Sequence, residues 1–294
     1  MEFDISQIDP RYHFKITGVS FIGAPQNETM LFITRKVQRL LKNIQGKTHC
    51  LVFAERGLEI DDAYQIENCF VMTDDPQMEY AKLAVRLQEE ERKNERDRKY
   101  RLTDKGCWLG ENVSIGKGTV VEPGCRIGHD VVIGKNAYIG FGSSIYHAEI
   151  GDDFSCLDHT SIGIDAFYFT EGEAKFRIPS FGKVIIGNNV DLSSNVVIER
   201  GFNHHTMIHD HVKIDSNVCL GHDVSLQENV FVTSGASIAG LVNVGKNVYI
   251  GMNAAVKQRL SIGDDAMIGM GSVVVANVKE GLHVFGNPAV KYGI

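Results

Sequence analysis

Between Leu109 and Val274 an aliphatic side chain returns every six residues, and this period constrains the fold more than any other feature of the chain. The series begins Leu109, Ile115, Val121, Ile127, Ile133, Ile139, Ile145. After a slip of one residue come Ile150, Cys156 and Ile162, and after a long insertion over about 163–183 come Ile186, Leu192 and Ile198. A shorter insertion, Glu199-Arg200-Gly201-Phe202-Asn203-His204-His205-Thr206, precedes an unbroken run: Ile208, Ile214, Leu220, Leu226, Val232, Ile238, Val244, Ile250, Val256, Ile262, Ile268, Val274.

A period of six fits neither a helix face at 3.6 residues nor an isolated strand at two. It fits a parallel β-helix in which each side of a coil takes one hexapeptide. The recurrent aliphatic points inward and stacks on its equivalents in neighbouring coils, because one coil cannot bury its apolar faces alone. Three sides make an 18-residue coil, and about eight coils at about 4.8 Å make a prism roughly 40 Å long. The residue after the aliphatic is usually glycine, as in IGKG, IGHD and IGDD. A glycine there suits a sharp corner and tolerates unusual dihedrals.

The first hundred residues have a different character. ITGVSF, HCLVF and CFVMT are short β-rich runs. VQRLLKNI has helical spacing, and Asp75-Pro76 opens a second helical stretch with acidic cap chemistry. Residues 86–101 are a dense run of mixed charge with Glu and Lys/Arg at i,i+4, the exposed end of that helix. The expected organisation is an α/β domain with a charged connector over 1–105 and a β-helix over 106–294. The fold class is mainly β.

Composition narrows the function. A formal charge of -7 argues against a general nucleic-acid binder. The chain contains no apolar run long enough for a transmembrane helix, and its N-terminus lacks the basic and apolar regions of a secretory signal. Its 6 cysteines show no CxxC spacing and read as free thiols. These features lead to the expectation of a cytoplasmic protein with no structural metal.

The repeats LGENVS-IGKGTV-VEPGCR-IGHDVV-IGKNAY resemble those of the hexapeptide-repeat acyltransferases. The stretches RIPSFGKVIIGNNVDLSSNVVIERG and HHTMIHDHVKIDSNVCLGHDV resemble, more closely, the lipid A pathway N-acyltransferases that act on a UDP-linked amino sugar. The resemblance implies a left-handed β-helix, a homotrimer with sites between subunits, a nucleotide-linked amino sugar as acceptor and an acyl thioester as donor. The family places Phe-x-x-Asn-Pro at its uridine site. Here Phe32 remains, but Thr34-Arg35-Lys36 follows without the Asn-Pro. The ending Gly286-Asn287-Pro288-Ala289 resembles shorter-chain acyl-CoA members, so Asn287 and Pro288 are candidate donor contacts. Acyl-CoA is therefore the favoured donor, with an acyl-carrier protein as the alternative.

The resemblance assigns the catalytic base to His222, and histidine titrates in the range that lets it accept a proton at neutral pH. Eighteen residues on, with the period unbroken, stands Gly240. The two therefore occupy equivalent places one coil apart, and the Gly240 N–H is a candidate oxyanion donor. A plain corner glycine is the bland alternative. Asp215 and Asp223 both compete to orient His222. Glu199, Arg200 and His205, on the shorter insertion, are candidate substrate contacts, as is Asp215, with Phe32 in the N-terminal domain. Lys257 and Arg259, one coil above Gly240, are candidates for phosphates of the donor. His147 also matches a family segment but reads as structural. His205, His209 and His211 crowd the sequence here without a cysteine or carboxylate partner at metal-binding spacing. The reading is an N-acyltransferase for surface polysaccharide or lipopolysaccharide synthesis. A non-catalytic β-helix that only binds is the rival.

Overall fold

A computed structural model describes residues 2–170, 175–202, 204–288 and 290–291. Glu171 and Gly172 of the long insertion, Asn203 of the short one and Ala289 lie outside the described residues. The chain divides into two compact units, Met1–Asp97 with Phe167–Phe181, and Arg98–Ala166 with Gly182–Ile294.

The first unit is built on a four-stranded parallel sheet. Its strands Gly18–Val19, Thr29–Ile33, Leu51–Glu55 and Cys69–Thr73 lie in sequence order. Leu31, Ile33, Val52 and Ala54 pack with Leu41 and Ile44 in its core. The helix Pro76–Arg96 is α-helical, and Asp75 Oδ1 accepts the Met78 N–H at 3.0 Å. The mixed-charge run continues it, with Arg86 and Glu90 paired at i,i+4. The VQRLLKNI segment differs from a regular helix. It forms 3-10 turns over Arg35–Ile44 with a break at Val37. The Glu55 carboxylate takes both the Arg35 backbone N–H and its side chain, which fixes the entry into the segment.

The second unit is a three-faced parallel β-helix. Face one holds, among others, Arg126–Ile127, Ser161–Ile164, Val197–Glu199, Cys219–Leu220, Ser237–Ile238 and Ala255–Val256. Face two runs through Val184–Ile186, Thr206–Ile208 and Ser225–Leu226, and face three through Asp191–Leu192, Lys213–Ile214 and Phe231–Val232. Cys219 pairs with Ser237 and Leu220 with Ile238, an offset of 18. The offset is 17 where Ser144 pairs with Ser161, 36 where Ser161 pairs with Val197, and 22 where Val197 pairs with Cys219. The long insertion therefore adds a coil's length of chain and the short one adds four residues.

Each hexapeptide sends two residues inward, not one. The aliphatic of the series is joined by the residue two positions before it, so Val218, Ala236 and Ala254 stack beneath the same faces as Leu220, Ile238 and Val256, all at 2% exposure or less. The corner glycines also act differently from the sequence expectation. The left-handed backbone falls two residues later, at Asn112, Asp130, Asn136, Asp223 or Asn247. Asparagine and aspartate tolerate that region better than other side chains. The glycine is required because the next coil approaches closely. A β-carbon on Gly221 would stand 2.7 Å from Gly240 N.

Candidate active site

Both insertions interrupt the same edge, the one between faces one and two. At the long insertion the chain leaves face one after Ser161–Ile164 and resumes on face two at Val184–Ile186, and at the short insertion it leaves after Val197–Glu199 and resumes at Thr206–Ile208. In the next coil up the edge is Gly221-His222-Asp223, and above that Ala239-Gly240-Leu241. The two irregularities and the two predicted catalytic residues thus share one edge in successive coils.

The His222 imidazole lies against the Gly240 α-carbon, where a built β-carbon would be 2.5 Å from Nε2 and 2.7 Å from Cε1. His222 Nδ1 is 2.8 Å from Asp223 Oδ2. The Asp223 side chain is 2% exposed. Burial pushes its carboxyl up, but hydrogen bonds from His222, His204 N–H and Phe202 N–H together outweigh burial and hold it below the usual carboxylate range. An ionised carboxylate only accepts, so the network assigns the proton to Nδ1 and the lone pair to Nε2. Of the two aspartates, Asp223 is the one in contact with the imidazole. Asp215 follows the face-three strand Lys213–Ile214, on the corner that precedes Cys219–Leu220, and its Oδ1 accepts the Ser216 N–H.

Elsewhere the corner amide donates to a side chain from the coil above: Lys135 N to Asp152 at 2.7 Å, Asn188 N to Asp210 at 2.7 Å, Lys246 N to Asp264 at 2.9 Å. At His222 the coil above offers Gly240, which has no side chain, and the amide turns instead to Glu199 Oε2 at 3.1 Å. Gly240 is buried, its carbonyl accepts from Arg259 N at 3.1 Å, and its N–H has no acceptor among the described residues. A buried donor without a partner costs about 1–3 kcal/mol. Such groups persist where a ligand completes them.

The remaining candidates separate. Arg200 is 8% exposed and its Nε donates to Asp165 Oδ1 at 2.7 Å, one coil below His222. His147 lies further down the same edge, and burial with the nearby Arg200 charge pushes its imidazole down to about 4. His205 accepts the Lys183 N–H on Nδ1 at 3.0 Å, so part of its role is to hold the long insertion's return. Lys257 and Arg259 are exposed one coil above Gly240. Asn287 and Pro288 are exposed in the turn between the last two strands of face three, His283–Phe285 and Val290–Lys291. Phe32 lies in the first unit, its ring 5.3 Å from that of Tyr80. His211 is bound to Asn189 on another corner, and no group of three metal-binding side chains occurs among the described residues. Phe202 is a residue that the sequence left unassigned. It is 5% exposed and its ring meets His222 edge-on at 6.2 Å.

Comparison with known proteins agrees with this architecture. Residues 106–141 match the family described as bacterial transferase hexapeptide, and residues 241–276 match the hexapeptide repeat of succinyl-transferase. The chain is 39% identical over 84 residues to UDP-3-O-acylglucosamine N-acyltransferase 2 of Legionella pneumophila strain Paris, covering 28% of this chain and 24% of that protein. It is 44% identical over 84 residues, at the same coverage, to UDP-3-O-acylglucosamine N-acyltransferase of Rickettsia prowazekii. The matched stretch thus spans about a quarter of these curated relatives. The solved UDP-N-acetylglucosamine acyltransferase of Francisella novicida aligns with a TM-score of 0.60 and 25% identity, over 64% of this chain and 69% of that one. The hexapeptide repeat and the β-helix of the acyltransferases that the chain resembles are both present. Among the described residues no helix is long and apolar enough to cross a membrane.

Proposed function

We propose that the chain is an acyltransferase that moves an acyl group from a thioester, with acyl-CoA favoured, to the amino group of a nucleotide-linked amino sugar. The observation that carries this reading is the pairing of a carboxylate-oriented imidazole with an unclaimed buried N–H one coil away. The substrate class rests on the likeness to nucleotide-sugar acyltransferases.

The neutral amine attacks the thioester carbonyl carbon, and its proton passes to His222 Nε2 as the C–N bond forms. The carbonyl oxygen becomes an oxyanion and takes the Gly240 N–H as donor. Asp223 faces the imidazolium that results and holds its orientation. The tetrahedral intermediate collapses, the C–S bond breaks, and the imidazolium returns its proton to the departing thiolate. Amide and thiol are the products, and the enzyme is restored.

Lys257 and Arg259 have the position and charge to meet donor phosphates above this site. Asn287 and Pro288 are proposed donor contacts on the strength of the family's ending. Glu199 and Arg200 lie at and below His222 on the acceptor side, with His205 beside them. Asp215, on a different corner from His222, is proposed as an acceptor contact in a neighbouring subunit's site, in the trimer that the resemblance implies. Phe32 is assigned to the nucleotide base by resemblance.

The test is thiol release from a series of acyl-CoAs in the presence of amino-sugar nucleotides, with acyl-carrier protein thioesters in parallel. Turnover that requires both partners and yields the amide by mass spectrometry supports the reading. Tight binding of the nucleotide without turnover on any donor would replace it with the non-catalytic alternative.

A further inference from the structure

The two insertions are hydrogen-bonded to each other, and together they hold the carboxylate behind His222. The return of the long insertion brings Gly182 N to Gly201 O at 2.8 Å and Lys183 O to Thr206 N at 2.9 Å. Gly182 and Gly201 both lie against the His204 carbonyl, and a β-carbon on either would collide with it. That packing fixes the peptides on both sides of the short insertion, whose amides point at Asp223. His204 N reaches Oδ1 at 2.7 Å and Phe202 N reaches Oδ2 at 2.9 Å. From the other side, Thr206 Oγ1 accepts the Asp223 N–H at 3.0 Å and donates to Glu199 O at 2.8 Å. Asp223 therefore receives two backbone hydrogen bonds from a segment that exists only because the repeat is broken there.

We propose that the paired insertions are a positioning device for the His222–Asp223 dyad, with Gly182 and Thr206 as positioning residues. This inference rests on the acyl-transfer reading above. Two effects compete at this single carboxylate. A buried carboxyl is pushed toward its neutral form, and amide donors oppose that by stabilising the charge. Without the His204 and Phe202 amides, Asp223 would protonate more readily and rotate more freely. His222 would then lose the group that fixes its Nδ1–H tautomer. A regular 18-residue coil has no spare peptide to supply these donors. The short insertion supplies them, and the long insertion's return sets where they point.

The test reads the imidazole directly in the free protein. Nitrogen-15 spectra of histidine-labelled protein, with His222 assigned by its loss in His222→Gln, report the tautomer and titration of that ring. Gly182→Ala, which forces the His204 carbonyl to move, and Thr206→Val, which removes the hydroxyl bridge at nearly constant volume, are expected to shift His222 away from the Nδ1–H pattern. Both should also lower kcat roughly tenfold with KM little changed, a partial loss of general-base catalysis. Thr206→Ser should restore both readouts. Gly245→Ala is the control. Its β-carbon meets Asp264 N at 2.6 Å on a different corner, and it should leave the His222 spectrum as in the wild type. If Gly182→Ala does not fold, Thr206→Val carries the test. Wild-type His222 spectra in the folded variants would overturn the proposal, as would a shifted spectrum with unchanged kcat. Because the spectrum needs no substrate, it fails or succeeds independently of whether the acyl-transfer assignment holds.

Discussion

The imidazole of His222 fills the space that a side chain on Gly240 would need, one coil above it. Gly240→Ala must therefore displace the ring or the coil. The expected result is a kcat at least about a hundredfold lower, on the scale of losing an oxyanion donor or misplacing a base, with the β-helix circular dichroism unchanged. Single-turnover rates on purified Gly240→Ala check this. A rate within threefold of wild type would show that the contact carries no chemistry.

Asp223 is held ionised against its own burial by three donors. Asp223→Asn keeps the shape but offers an amide N–H to Nδ1, which moves the imidazole proton to Nε2 and removes the lone pair that accepts the substrate proton. We expect kcat to fall by about 10²–10⁴-fold, the usual range for general-base loss, with fluorescence-detected donor binding preserved. The corresponding Asp215→Asn is expected to leave the His222 tautomer unaltered, since Asp215 stands on another corner.

His147 gives a prediction in pH. Burial and the Arg200 charge lower its folded pKa from 6.5 to about 4. A depressed folded pKa favours the neutral form, so its contribution is fully present above about 6.5 and is lost as pH falls toward 4. The loss amounts to about 3 kcal/mol if His147 acts alone. His147→Asn suits the positive φ of 46° at this corner. It should flatten the decline in urea-unfolding stability between pH 6.5 and 4. An unaltered pH dependence would assign the acid sensitivity elsewhere.

The Arg200–Asp165 pair is 9% and 24% exposed at its side chains. Removing one partner leaves the other charge poorly solvated, at a cost of about 3 kcal/mol. Arg200→Met and Asp165→Leu should each lower the unfolding midpoint, and the double variant should be less destabilised than their sum. Additive losses in the double-mutant cycle would mean that the pair is not coupled.

The sequence and the structure agree where a property repeats. The inward aliphatics, the coil length, both interruptions and the His222–Gly240 register all follow from the hexapeptide period, because a repeated unit averages out local ambiguity. The second inward column is not legible in the sequence because alanine, serine and threonine alternate there with valine, so no single residue type marks it. The role of the corner glycines is hidden for a related reason. Composition shows a small residue at a corner but not which coil crowds it. What was not legible was the backbone of the insertions. Nothing in Phe202-Asn203-His204 reveals that the amides of Phe202 and His204 face a carboxylate some twenty residues later in the chain. A polar loop of that composition reads equally as substrate contact. The choice between Asp215 and Asp223 likewise needed the corner geometry, since both lie within seven residues of His222.

The central claim is that His222 is the base in acyl transfer. The most direct measurement is the single-turnover rate of amide formation by His222→Ala, with saturating acyl-CoA and amino-sugar nucleotide, followed by quench and mass spectrometry. The expected rate is at least about 10²–10³-fold below wild type, with nucleotide binding retained. A wild-type rate in that variant would contradict it.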